Sequence, residues 1–165
     1  MTIGMNARLS ESARFIQASP PNGDLTGALW VSLKNYQRVC VIIDAAAVGG
    51  LTGGVVTLNQ AKTVAGGSAK AAPIASVQVS NDVTNAQTEA GQALVDTPVV
   101  NNTFTVTGGA GKKARYIFEI DVGALDINNG FDCVRVVSTA LGGGSGSIDY
   151  IVYGPRYSGA PCMTD

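Results

Sequence analysis

The sequence predicts an all-β fold: one β-sandwich or jelly roll of about eight strands, with an N-terminal arm and an extended C-terminal tail. Three observations carry this. Residues 114–122, Ala-Arg-Tyr-Ile-Phe-Glu-Ile-Asp-Val, place Ala114, Tyr116, Phe118, Ile120 and Val122 on one side of an extended chain. Arg115, Ile117, Glu119 and Asp121 fall on the other, because successive strand side chains point to opposite faces. Shorter alternations of this kind recur along the chain with glycine-rich turn signals between them, the spacing of a sandwich or jelly roll. The segments are not copies of one another, which disfavours a solenoid or propeller.

Taken in order, residues 1–27 form the arm. Within it, Ala7 to Gln17 reads as a short helix with Leu9, Ala13 and Ile16 on one stripe, broken by Pro20, Pro21 and Gly23. The body covers residues 28–153 and starts with Ala28 to Leu33. Gln37 to Asp44 carries Val39, Val41 and Ile43 on one face and Cys40 and Ile42 on the other, the signature of a central strand. Gly49, Gly50, Gly53 and Gly54 read as a loop, Val55 to Lys62 as the next strand, and Gly66 to Lys70 as a turn. Val77 and Val79 alternate with polar neighbours, and Asn81 to Gly91 is polar and turn-like. Thr103 to Thr107 alternates cleanly. The strand at 114–122 follows, then Cys133 to Ser138, a turn over Gly142 to Gly146, and Ile148 to Tyr153. Pro155 and Pro161 make residues 154–165 an extended tail.

Composition narrows the function. Apolar residues make up 45% of the 165, enough for a core without disulfides or metals. Charged residues make up only 14%, against about 25% in an average domain. That deficit favours a surface partly covered by other subunits over one rich in Ser, Thr, Asn and Gly. A net charge of −1 provides no basic excess for a nucleic-acid backbone. No apolar run approaches the ~20 residues that span a bilayer. The first residues lack the charged and apolar regions of a secretory signal, so folding in a cytoplasm is expected.

Chemistry-bearing residues are few. There is no histidine, which removes the commonest general base and metal ligand. Cys40, Cys133 and Cys162 lack zinc-site spacing. The first two read as small buried hydrophobes, bridged only if their strands are neighbours, and Cys162 as an exposed thiol. Gly49 to Gly54 has the outer spacing of a phosphate loop, but Val55 and Val56 stand where Lys and Ser/Thr are required. Glu119 and Asp121 share a strand face and could form a carboxylate pair. A solvated or subunit-contact face is the simpler reading. Asp126 to Asn129 has the composition of a cation loop without its full pattern and reads as a turn. Trp30 and the five tyrosines suit core and interface anchoring better than a sugar-binding surface. No residue is nominated as catalytic, and no cofactor or metal site is expected.

Three pieces appear in order. Lys34-x-Tyr36-x-Arg38 leads into the apolar run Val39 to Ile43. Val56-Thr57-Leu58-x-Gln60-Ala61 follows, and Tyr153-Gly154-Pro155-Arg156-Tyr157 closes the set. Together they resemble small structural proteins of tailed bacteriophages. The resemblance implies a virion protein made in the bacterial host cytoplasm, of the capsid decoration (cement) type. Such a protein binds the outer head surface across major capsid protein subunits, often as a homotrimer. It transfers no catalytic motif. Arg14, Phe15 and Ile16 are the candidate arm anchors, Arg156 and Tyr157 the C-terminal ones, and Tyr36 and Arg38 a third pair, since Arg and Tyr are favoured at interface hot spots. The alternatives are another virion component, such as a tail or receptor- or carbohydrate-binding module, and a small glycosidase using Glu119 and Asp121.

Overall fold

A computed structural model describes residues 12–19, 28–82, 93–100, 102–108, 113–139 and 142–155. Among them are ten strands and two short 3-10 turns. The strands are β1 (Ala13–Gln17), β2 (Val31–Ser32), β3 (Tyr36–Ala61), β4 (Lys70–Ala71) and β5 (Ser76–Asp82), then β6 (Leu94–Pro98), β7 (Thr103–Gly108), β8 (Lys113–Asp121), β9 (Cys133–Ser138) and β10 (Gly142–Pro155). The fold is an all-β sandwich of two antiparallel sheets joined through β3.

β3 is the frame. Along one edge it pairs first with β10, from Tyr36↔Pro155 to Thr52↔Gly142, and then with β9, from Val56↔Ser138 to Ala61↔Cys133. Along its other edge it pairs with β8, from Arg38↔Asp121 to Ala46↔Lys113, and then with β7, from Leu51↔Gly108 to Thr57↔Thr103. Three long antiparallel segments therefore run side by side, and the ribbon they form folds back on itself. The Phe104 ring on β7 lies 5.5 Å from Tyr116 and 5.7 Å from Phe118 on β8. A dozen residues of straight strand would hold Phe104 and Tyr116 roughly 40 Å apart. The first halves make sheet A, ordered β1-β10-β3-β8-β5-β6. The second halves make sheet B, in which β9 and β2 lie on one side of β3 and β7 and β4 on the other.

This arrangement corrects several sequence expectations for one reason. Glycine clusters look like strand terminators, yet Gly49, Gly50, Gly53, Gly54 and Gly142 to Gly146 lie within strands, at the level where the ribbon crosses between sheets. Gly146 shows why: a Cβ there would sit 2.3 Å from the Asp44 carbonyl oxygen, so only glycine lets the two backbones approach. The strands expected at 37–44 and 55–62 are thus one. The helix expected over residues 7–17 is, in its described part, strand β1 paired with β10. As a strand it puts Ala13 and Ile16 on opposite faces, so pairing with the edge of β10 overrides the local helical stripe.

The core follows the alternation. Ala114, Tyr116, Phe118, Ile120 and Val122 are all buried, as are Val39, Val41 and Ile43 on β3 and Val56 and Leu58 beyond the crossing. Cys40 and Ile42 are only half-buried, on the outer face of sheet A. Cys133 is buried near the far end of β3, opposite Ala61, so it cannot meet Cys40, and both thiols are free. Burial pushes the Cys133 thiol up to about 12.

Two buried polar side chains fix the packing, one across the two sheets and one at the far end of β3. Tyr150, 1% exposed on β10, accepts a hydrogen bond at its hydroxyl from the Val136 N–H on β9 (2.9 Å). Gln60, 4% exposed on β3, donates to the Ala71 carbonyl (3.0 Å) and accepts from the Asp126 N–H (2.9 Å). This explains the glutamine in the Val56–Ala61 piece. Removing either partner leaves a buried group unsatisfied. Tyr150→Phe and Gln60→Ala are each expected to cost about 1–3 kcal/mol, read as a lower urea midpoint at unchanged slope.

Candidate interaction surface

The two sheets end differently on the two sides of β3. On one side β1 edges sheet A and β2 edges sheet B, and the Leu29 N–H bonded to the Ala18 carbonyl (2.9 Å) ties the approaches to these strands together. Between them opens a cleft of about 400 Å³. Arg14 and Ile16 enter it from β1, where they pair with the buried Val152 and Tyr150. Leu29 and Trp30 line it ahead of β2, Lys34 and Tyr36 at the start of β3, and Val64 on the turn after β3.

Trp30 is held from two directions. The Arg135 guanidinium lies 5.0 Å from its ring, a cation–π contact. Beneath it runs the turn closed by Lys62 N–H to Gly67 O (3.0 Å) and Gly66 N–H to Thr63 O (2.9 Å). Gly66 has φ +82°, and a Cβ there would come within 2.8 Å of the indole nitrogen, so the turn needs glycine to seat the ring. Leu29 and Val64 are 59% and 61% exposed. The cleft thus combines an immobilised aromatic floor, an apolar rim and two cationic residues, with no carboxylate among its described lining residues. An extended segment with an apolar anchor and nearby negative charge matches this chemistry.

The sequence-nominated residues divide between surfaces. Arg14, Ile16 and Tyr36 meet in the cleft. Phe15 points to the outer face of sheet A, 53% exposed, opposite Ile151. Arg38 lies on the same face, its Nε 3.2 Å from Asp121 directly opposite on β8. Arg156 and Tyr157 lie outside the described residues. Since β1 belongs to sheet A, truncation through Gln17 would strip a paired strand and bare the edge of β10. Leu29 and Val64 escaped sequence reading because an apolar residue's exposure leaves no mark on the chain.

The outer face of sheet A disposes of the remaining nominations. Asp121 accepts from Arg38 and from the Gly123 N–H (2.7 Å). Glu119 hydrogen-bonds Tyr153, whose phenol is raised by burial and then by that carboxylate. The two carboxylates therefore serve different partners. Cys40 beside them is raised by burial and then by Glu119. Asp44 and Arg115 form a bidentate pair (2.6 and 3.0 Å). Between these ion pairs runs a stripe of half-buried Cys40, Ile42, Ile117 and Ile151. Asp126 sits in a turn closed by Gly130 in the left-handed conformation and binds the Lys70 ammonium and the Asn129 amide. Among the described residues, no three metal-type side chains converge.

Lys70, then Asn129, hold the Asp126 carboxyl below its ordinary value. A depressed folded value means stability that is present above an ordinary carboxylate pKa of about 4 and lost as pH falls through the lower one. The Tm difference between the wild type and Asp126→Asn should therefore be constant from neutral pH to about pH 4 and shrink below it. A difference that grows with acid would contradict this electrostatic reading.

No family model matches the chain, and no curated protein matches it. Among solved structures, it is similar to the crystal structure of the SPBc2 prophage-derived protein YomS. The identity is 8% and the TM-score 0.45, over 85% of this chain and 91% of that one.

Proposed function

We propose that the protein is a non-catalytic structural component of a tailed-phage virion. In this reading it is a capsid decoration protein that binds the outer head surface, bridges major capsid protein subunits and acts as a homotrimer. The observation that carries the proposal is a convergence. The Tyr36–Arg38 and Tyr153–Pro155 pieces of the resemblance pair directly, Tyr36 with Pro155 and Arg38 with Tyr153, and Tyr36 of this corner also lines the cleft. Low charge and the exposed Leu29 and Val64 suit a surface meant to be covered.

The mechanism is passive. A protein that binds only the assembled lattice stabilises it by mass action, and many weak copies act in parallel. A segment of the shell protein would occupy the cleft, with an apolar side chain against Trp30 and its acidic groups near Arg14 and Lys34. A second reading, a carbohydrate-binding tail module, draws on the pairing of Trp30 and Tyr36 in one cleft, since aromatic faces also stack on sugars.

Purified heads lacking the protein provide the test. Wild-type chain should bind them and raise their thermal disruption temperature. A Leu29→Glu, Val64→Glu variant should keep its own Tm, because both residues are exposed, yet bind at least about tenfold more weakly, a loss of roughly 1.4 kcal/mol. Full head binding by that variant would remove the cleft from the mechanism. Glycan binding without head binding by the wild type would favour the tail module.

A further inference from the structure

The opposite side of the sandwich is unbalanced. Sheet A extends two strands beyond β8, through β5 to β6, whereas sheet B there has only β7 and the two-residue β4. β6 therefore overhangs. All five of its residues are exposed, with Leu94 at 43% and Val95 at 64%. This edge strand, Leu-Val-Asp-Thr-Pro, carries one charge, Asp96, and ends on a proline, so the outer backbone groups of Leu94 to Thr97 are what it can offer another chain. β6 bonds β5 on one side, and its other side is the end of the sheet among the described residues.

We propose that β6 pairs with β1 of a second copy of this chain, extending sheet A across the subunit boundary. Three features select that occupant. Every neighbouring pair in the order β1-β10-β3-β8-β5-β6 is antiparallel, so the two edge strands run in opposite directions. A rotation axis along the strands preserves direction, and the next copy's β1 therefore meets β6 antiparallel. Both strands have five residues. Their inward sides also match. Arg14 and Ile16 face inward opposite Val152 and Tyr150, and Val95 and Thr97 face inward opposite Val79 and Val77. Full overlap then places Ile16 beside Val95, Arg14 beside Thr97, and outward-facing Phe15 beside Asp96. Such a head-to-tail contact uses different surfaces on each copy, and closes into a ring where the rotation from copy to copy completes a full turn. The inference rests on the self-association in the reading above and is independent of what the shell provides.

The register is directly testable, because Phe15 and Asp96 are both exposed. Light scattering on the wild type should give an oligomer. Phe15→Asp sets like charges opposite each other and should give a monomer of unchanged Tm. Adding Asp96→Lys to that variant should restore the oligomer. A monomeric wild type would overturn the proposal. So would a Phe15→Asp variant that keeps the wild-type mass, the result expected if two β6 strands paired with each other, or a double variant that stays monomeric. Loss of head binding with the oligomer intact would instead count against the decoration reading alone.

Discussion

The structure depends on a three-stranded antiparallel ribbon bent double. β3 passes from one sheet to the other without interruption, and its partners on both edges make the same passage. A residue before the crossing and one after it, distant along the strand, become facing members of one core, as the stacking of Phe104 on Tyr116 demonstrates. Glycine at the crossing is the price of this plan, since side chains there would keep the backbones apart. Apolar burial then holds the halves together, while Tyr150 fixes how they align and Gln60 ties the far end of β3 to β4 and the Asp126 turn. A purely apolar contact between two sheets tolerates sliding; a buried hydrogen bond with one geometry does not.

The two flanks of β3 follow different logic. Where β1 and β2 end their sheets at matching positions, the sandwich closes around a cleft floored by Trp30. On the other flank, among the described residues, sheet A outruns sheet B and β6 ends the sheet. One flank is concave with cations at its rim, and the other presents a backbone edge. Head-to-tail pairing of copies would draw on both flanks, setting β6 of one copy against β1 beside the cleft of the next. The outer ion pairs, Arg38 with Asp121 and Asp44 with Arg115, are half-exposed. Pairs of that kind contribute about 0–1 kcal/mol each, so they matter more for shaping the face than for holding the fold.

Much of this was legible in the chain. Alternation at 114–122 located the buried face of that stretch residue by residue, and the absence of histidine removes the commonest catalytic arrangements. Glycine was misleading, because a residue that ends most strands here allows three to bend together. The short apolar stripe in β1 was misleading, since Ile16, three residues after Ala13, shares a helix face with it but lies on the opposite face of a strand. Asp126 to Asn129 forms the turn that its incomplete pattern indicated, with the Asp126 carboxylate paired to the ammonium of Lys70.

The sequence by itself determined the strand character, the inward side chains of the central strands and the scarcity of chemical groups, because these depend on residue type and local period. Only the tertiary structure decided that separate strands are one, that Arg14, Ile16 and Tyr36 share a cleft while Phe15 and Arg38 do not, and that β6 is an exposed edge among the described residues. Those facts depend on which distant segments the bent ribbon brings face to face. Such long-range pairing is set by the packing of the whole chain, and no local pattern encodes it.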